Sequence, residues 1–135
     1  MSPAGDVVEL KVPCKPEFVG VVRLMVSGVA GRMEFSYDEV EDIKLAVGEA
    51  CAAAIQAAPA APAPSPLVVR CEAAPDTLRL QVQTPASRAG IAAAGGEVAI
   101  SQLLMEMLMD EVEVQEDQHG RVSVHMLKRV SRVKT

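Results

Sequence analysis

The chain has 135 residues, half of them hydrophobic, and a formal net charge of −5. This composition predicts one globular domain over residues 1–135 and argues against a binder of nucleic-acid phosphates. Only Phe18, Phe35 and Tyr37 are aromatic, which excludes stacking platforms for single-stranded nucleic acid. The three cysteines are scattered without metal-ligand spacing, and neither a signal peptide nor a membrane-spanning run is evident. We therefore expect a soluble, cytoplasmic protein that holds no metal.

The first predicted elements are a strand and a helix. Residues 7–12 alternate between apolar and polar side chains with the period of a strand, and Pro13 ends the pattern. The next apolar residues recur at helical spacing: Phe18, Val21, Val22, Met25, Val26 and Val29. We expect this helix to have Pro16 in its first turn and Gly31 at its C-terminal cap.

A second helix is predicted from residue 37 onward. Glu39 follows Ser36 by three residues, which is the spacing of a capping box. The apolar stripe of this helix consists of Val40, Ile43, Val47, Ala50, Cys51 and Ala54. Four prolines between residues 59 and 66 then predict an extended, semi-rigid connector.

The second half of the chain predicts two hairpins and one helix. Residues 67–72 and 77–83 form the first strand pair, and residues 111–116 and 121–128 form the second, with a turn at 117–120. The small residues of 84–96 predict a loop. The helix over 98–110 has its apolar stripe at Ile100, Leu103, Leu104, Met107 and Leu108, with Met107 toward the core and Met105 and Met109 at the margins. The basic residues of 128–135 predict a frayed tail.

The predicted element order is β-α-α-β-β-α-β-β. Hairpins that are segregated from helices indicate the α+β class. We therefore expect a two-layer sandwich with an antiparallel or mixed sheet and three helices on one face.

Three segments of the chain resemble a known family. Residues 15–24, KPEFVGVVRL, resemble the first helix of bacterial anti-sigma factors of the RsbW/SpoIIAB serine-protein kinase family, and residues 37–51, YDEVEDIKLAVGEAC, resemble its second helix. Residues 108–114, LMDEVEV, resemble the end of its last helix and the following strand. The resemblance implies the GHKL (Bergerat) ATP-binding sandwich that histidine kinases and gyrase share.

In that family a Glu and an Asn, four residues apart on the second helix, carry the ATP chemistry. The Glu acts as the base and the Asn amide oxygen holds Mg²⁺. Glu49 matches the Glu, but Ala53 stands where the Asn would be. A methyl group cannot ligate Mg²⁺, which requires oxygen. Glu49 is thus either a remnant of the base or a solvated helix residue.

The family's other nucleotide contacts also fall on altered residues. Thr84 stands at the position of the Asp that receives the adenine amino group, and Ala86 stands at the first Gly after it. Ala99 and Ser101 replace the Gly-x-Gly at the start of the last helix, where backbone amides meet phosphates. Gly95 and its neighbour Gly96 are either a partial phosphate cradle or a flexible loop. The segment between Ala86 and Ala99 is short, which leaves little room for an ATP lid.

The resemblance therefore implies the family's binding of partner proteins rather than its ATP-dependent phosphorylation. We expect a partner-switching regulatory protein that binds a sigma factor, its antagonist, or both, without a cofactor. Arg23 aligns with a family arginine that contacts the antagonist, the alternative being an exposed helix arginine. The family forms dimers, and an exposed first strand would suit pairing across a two-fold axis. The alternative function is an active serine-protein kinase that uses ATP and Mg²⁺ to phosphorylate an antagonist.

Overall fold

The computed structural model describes residues 5–58 and 66–131, apart from the side chain of Glu97. Its elements in chain order are β1 (Asp6–Val12), a 3-10 turn (Pro16–Phe18), α1 (Val19–Ala30), α2 (Tyr37–Ala57), β2 (Leu67–Ala73), β3 (Thr77–Ser87), α3 (Arg88–Ala94), α4 (Gly96–Leu108), β4 (Glu111–Glu116) and β5 (Arg121–Arg129). The predicted connector over 59–65 and the tail residues 132–135 lie outside the described residues.

The sheet has five strands in the order β1-β2-β3-β5-β4, and every neighbouring pair is antiparallel. Strand side chains alternate, so that Val69, Leu80 and Val82 are buried while Arg79 and Gln83 are exposed. The predicted α+β sandwich is confirmed, and β1 and β4 form the two edges of the sheet.

The central helix α2 follows its sequence pattern closely. The Glu39 amide donates to Ser36 Oγ at 3.1 Å, and the Ser36 amide donates to Glu39 Oε1 at 2.8 Å, which confirms the capping box. Ile43, Val47 and Cys51 are completely buried. Burial raises the pKa of the Cys51 thiol to about 12, so this cysteine packs as a small apolar residue.

The loop predicted over residues 84–96 is wrong. Strand β3 continues to Ser87 because Thr84 and Ala86 are buried, and α3 then follows directly. The Ser87 hydroxyl caps α3 by accepting a 3.0 Å hydrogen bond from the Gly90 amide. The described residues therefore contain four α-helices rather than three. The small side chains that indicated a loop instead permit close packing.

The predicted apolar stripe of α4 is on the wrong side. Ile100 is 58 % exposed, Leu103 59 % and Met107 80 %, whereas Met105 and Met109 are buried. This helix is apolar around most of its circumference, so apolar spacing alone could not identify the packed face. Within the described residues, no single helix is long and apolar enough to span a membrane.

The basic tail does not begin at residue 128. Lys128 and Arg129 belong to β5, and Lys128 Nζ donates a 2.6 Å hydrogen bond to the Leu108 carbonyl at the end of α4. The Arg129 amide donates to Asp110 Oδ2 at 2.6 Å. Both residues are therefore tied to the segment that joins α4 to β4, and the prediction of a frayed end there is wrong.

Candidate functional site

Glu49 and Ala53 lie on the face of α2 that turns toward α4. Their spacing of four residues places them one turn apart on this face, as the resemblance requires. Both side chains are half-buried. Only Glu49 offers an oxygen, because the Ala53 side chain ends in a methyl group that can neither ligate a cation nor accept a hydrogen bond.

The Glu49 carboxylate is joined to α4 by a hydrogen bond. Ser101 Oγ donates to Glu49 Oε1 at 2.9 Å, and Ser101 itself is buried on α4. The structure thus brings together two of the residues singled out from the sequence. Glu49 is not simply a solvated helix residue, because one of its oxygens takes part in the contact between α2 and α4.

Thr84 and Ala86 are buried near the end of β3. Thr84 Oγ1 donates to the Val122 carbonyl at 3.0 Å and accepts from the Ala86 amide at 3.1 Å. The hydroxyl therefore satisfies backbone groups of β3 and β5 inside the fold. In this arrangement its hydrogen is already engaged, and it does not supply the charged acceptor that an Asp would offer to an adenine amino group.

The start of α4 combines a glycine of positive φ with an exposed alanine. Gly95 has φ +81° and forms the N-cap of α4, so it separates α3 from α4 at a sharp change of direction. Gly96 is the first residue of α4, and Ala99 lies exposed in its first turn. The glycine pair is therefore a helix junction rather than part of a flexible loop.

Helix α3 packs closely on the C-terminal end of α2. A Cβ added to Gly90 would lie 2.8 Å from the Ala57 carbonyl oxygen, so only glycine permits this approach. Ile91 of α3 packs against the hydrophobic core. The segment between β3 and α4 is therefore a short packed helix that lies against the same helix as Glu49 and Ala53.

Two hollows lined by charged residues lie on the sheet, and one of them reaches Thr84. The other, of about 350 Å³, opens on the polar face of the sheet and is lined by residues that include Arg70, Arg79, Glu113 and His125. Among the described residues, no group of three or more His, Cys, Asp or Glu side chains could hold a metal ion.

Arg23 is half-buried between α1 and α2 rather than at a freely solvated edge. Its Nε is buried and has no hydrogen-bond partner within the described part of the chain. Its Cδ lies 3.4 Å from the position that a Cβ on Gly48 would occupy. The sequence interpretation did not single out Gly48; a glycine in the interior of α2 is the feature that could have indicated this contact, because such a residue disfavours a helix.

The comparisons with known proteins agree with this fold. Residues 12–128 match the family model described as the histidine kinase-like ATPase domain. The serine-protein kinase RsbW of Bacillus licheniformis is 39 % identical over an alignment of 147 positions, gaps included, that covers 98 % of this chain and 91 % of that protein. RsbW of Bacillus subtilis (strain 168) is 38 % identical over 146 positions, with coverages of 95 % and 88 %.

A solved structure is also similar. It contains the RsbU and RsbW domains of a Mycobacterium tuberculosis protein and matches with a TM-score of 0.70 at 16 % identity, over 94 % of this chain and 32 % of that chain. The shared fold is that of the histidine kinase-like ATPase domains. Within that class, the chain belongs to the RsbW serine-protein kinase family.

Proposed function

We propose that this chain is a regulatory protein of the partner-switching type, which binds a sigma factor, its antagonist, or both, and which has lost the family's ATP site. It works by reversible binding to proteins and needs neither nucleotide nor Mg²⁺. The proposal extends the family assignment to one of the two activities that the resemblance implies.

The observation that carries this proposal is the pairing of Glu49 with Ser101 beside Ala53. An ATPase of this family needs the Glu free to act as a base and an amide oxygen to hold Mg²⁺. Here the Glu49 carboxylate accepts a hydrogen bond from α4, and the neighbouring position offers only a methyl group. A site without its metal ligand loses the charge neutralisation that phosphoryl transfer requires.

Two further features support the loss of the nucleotide site. The hydroxyl of Thr84 is engaged with backbone groups of the sheet. Helix α3 lies against the C-terminal end of α2, and Gly90 permits its close approach to Ala57. Thr84 therefore leaves no charged acceptor for an adenine amino group. The segment that would otherwise form a lid is instead the packed helix α3.

Arg23 and β1 support the binding side of the proposal. The Arg23 side chain is half-buried, its Nε has no hydrogen-bond partner within the described residues, and a planar guanidinium can bind a carboxylate of another protein bidentately. β1 is an edge strand, and no other described strand pairs with its outer side, which leaves that side available for pairing with a second copy in a homodimer. We place this activity in the cytoplasm, where sigma factors act.

Thermal unfolding in the presence of nucleotide tests the lost site. We expect no saturable rise in Tm with ATP or ADP and Mg²⁺ up to millimolar concentrations, whereas a ligand at a hundredfold excess over its Kd would stabilise the protein by about 2.7 kcal/mol. RsbW of Bacillus subtilis serves as the positive control. A clear, saturable shift for this chain would contradict the proposal.

The variant Ala53→Asn isolates the missing metal ligand. We expect no Mg²⁺-dependent nucleotide binding from this change alone, because Thr84, Ala86, Ala99 and Ser101 remain altered. Binding gained from the single substitution would mean that the rest of the pocket is intact and that only the metal ligand was lost.

The variant Arg23→Ala tests the partner contact, and Arg32→Ala is its matched control on an exposed arginine. In titrations against sigma factors and antagonist proteins of the same genome, we expect Arg23→Ala to weaken binding by more than about 1 kcal/mol. Arg32→Ala should leave affinity unchanged. Equal affinities for wild type and Arg23→Ala, with a real partner in hand, would contradict the role of Arg23.

The second candidate function is an ATP-dependent serine-protein kinase that phosphorylates an antagonist. It is favoured by the retained Glu49 and by relatives that are named serine-protein kinases. Transfer of radiolabelled γ-phosphate to an antagonist, abolished by Glu49→Gln, would establish this function in place of the binding role.

A further inference from the structure

An apolar surface on α4 has no cover within the described part of the chain. We define the α4 outer face as Ile100, Leu103, Leu104 and Met107, which follow the i, i+3, i+4, i+7 spacing of one helix face. The opposite side of α4 packs into the core through Met105 and Met109. Four large apolar side chains in one exposed stripe are typical of a protein interaction site.

The outer face extends onto α2. The Glu49–Ser101 hydrogen bond joins the two helices at one level, and Lys128 links their other ends because it contacts the Leu108 carbonyl and lies 3.9 Å from Asp42. The helices are therefore antiparallel, and Leu45 lies level with Leu104. Leu45 is 48 % exposed, so it continues the apolar surface across the helix pair.

The margins of this surface are acidic. Glu49 lies on the α2 side, where Asp42 is already paired with Lys128 at 3.9 Å, and exposed Glu106 lies on the other side, about 60° around α4 from Leu103. Helix α4 contains no lysine or arginine, and the whole chain has a net charge of −5. A partner with basic margins gains favourable electrostatics here, whereas a second copy would bring like charges together.

We infer that the α4 outer face docks an amphipathic helix of another protein, with apolar side chains along one stripe and lysines or arginines on its margins. The apolar stripe supplies the contact area and the acidic margins select the partner and its orientation. This inference rests on the proposed function only in taking the chain to act by binding proteins. It adds a surface distinct from Arg23, which belongs to α1 and packs against Gly48 of α2.

Three synthetic helical peptides test the chemistry of the surface. The first has leucines at i, i+3, i+4 and i+7 with flanking lysines, the second has glutamates in place of those lysines, and the third has glutamines in place of the leucines. We expect only the first to bind in fluorescence anisotropy titrations at physiological salt, at least tenfold more tightly than the others. Equal binding of the first and third peptides would show non-specific charge attraction and overturn the inference.

Variants of the full chain locate the binding. Leu103→Asp and Met107→Asp should each weaken binding of the first peptide at least tenfold without changing the far-UV circular dichroism, because both side chains are exposed. Gln102→Asp is the matched control, since it adds the same charge on the same helix away from the outer face. Glu106→Lys should weaken the lysine peptide several-fold and strengthen the glutamate peptide. Binding that is unaffected by Leu103→Asp overturns the inference.

Two measurements exclude other occupants. Self-association in analytical ultracentrifugation that Leu103→Asp abolishes would make the outer face an interface between copies and overturn the inference. Sedimentation with phosphatidylglycerol vesicles that Leu103→Asp abolishes would make it a membrane surface, with the same consequence. A partner that requires Arg23 but ignores the α4 variants refutes this surface alone, and nucleotide binding with peptide docking intact refutes only the proposed function.

Discussion

Helices α2 and α4 lie side by side, yet only α2 buries the face that its sequence pattern predicts. In α2 the apolar stripe is flanked by charged residues, so a single orientation satisfies the pattern. In α4 apolar side chains occupy both sides, and the buried side includes Ser101. The orientation of α4 is therefore decided by its partners in space, among them Glu49.

The difference also concerns what each helix keeps of the family's chemistry. The packed face of α2 matches the family, while of the two positions beside it that would handle nucleotide, Glu49 is retained and Ala53 is replaced. The completely buried side chains on this face include Ile43, Val47 and Cys51. Core packing and the family's nucleotide positions thus involve different residues of one helix.

The largest expected difference between α2 and α4 comes from shortening one leucine-sized side chain on each helix. Ile43→Ala should lower the free energy of unfolding by about 2–5 kcal/mol, because it leaves a cavity beneath α2. Leu103→Ala should change it by no more than about 0.5 kcal/mol, since its side chain is largely exposed. Urea denaturation measures both, and a large loss for Leu103→Ala would mean that the α4 outer face is packed in solution.

Loss of the Lys128 hydrogen bond to the C-terminal end of α4 should have the next largest effect on the free energy of unfolding. Lys128→Met keeps the aliphatic stem but removes the charged donor to the Leu108 carbonyl, and we expect a loss of about 2 kcal/mol in the free energy of unfolding. Arg129→Met is the control, because the Arg129–Glu111 pair is exposed and contributes at most about 1 kcal/mol. Equal losses for the two variants would argue against a specific anchor.

The two serine caps compare a long helix with a short one. Ser36→Ala removes half of the capping box of α2 and should lower the free energy of unfolding by about 1 kcal/mol. Ser87→Ala removes the bond to Gly90 at α3, and the loss should be smaller because α3 has only seven residues. Thermal denaturation measures the stability loss of each variant. A larger loss for Ser87→Ala than for Ser36→Ala would show that α3 contributes more to folding than its length suggests.

The smallest effect is expected at the β4–β5 turn, far from both helices. Hydrogen bonds from the Arg121 and His119 amides lower the pKa of the Asp117 carboxyl. A lowered folded pKa gives stability that is present above the ordinary carboxyl pKa of about 3.9 and is lost as the pH falls through the folded value. An NMR titration should show the two amide signals moving with Asp117 below that pH, and signals that titrate above it would contradict this assignment.

Local patterns in the sequence predicted much of the fold. The capping box at Ser36 and Glu39 acts within four residues, and the strand pairs follow from alternation around short turns. The contacts that were missed join residues far apart in the chain. Lys128 reaches Leu108, Ser101 reaches Glu49, and Arg23 lies against Gly48. No periodicity within one element encodes such pairs.

The candidate site shows the same division. The sequence identified Glu49, Ser101 and Thr84 because the resemblance aligned them with nucleotide contacts. It did not reveal that Ser101 donates to Glu49 or that Thr84 is bonded across to β5, because both bonds depend on how the helices and strands pack. The helical character of α3 was hidden by its small residues, which are typical of loops but here permit a close approach to α2.

The pairing of β1 with β2 has a consequence for how the chain matures on the ribosome. The register joins Asp6 to Ala73, so β1 is synthesised before α1 and α2, and β2, its paired neighbour among the described strands, follows only after both helices. At bacterial elongation rates this wait amounts to several seconds, on the order of 3–13 s. Throughout it, Leu10 and Val12, which are half-buried and buried in the folded chain, remain without their native cover. Nascent chains that stall before β2 therefore carry an unpaired apolar strand and are natural substrates for chaperones.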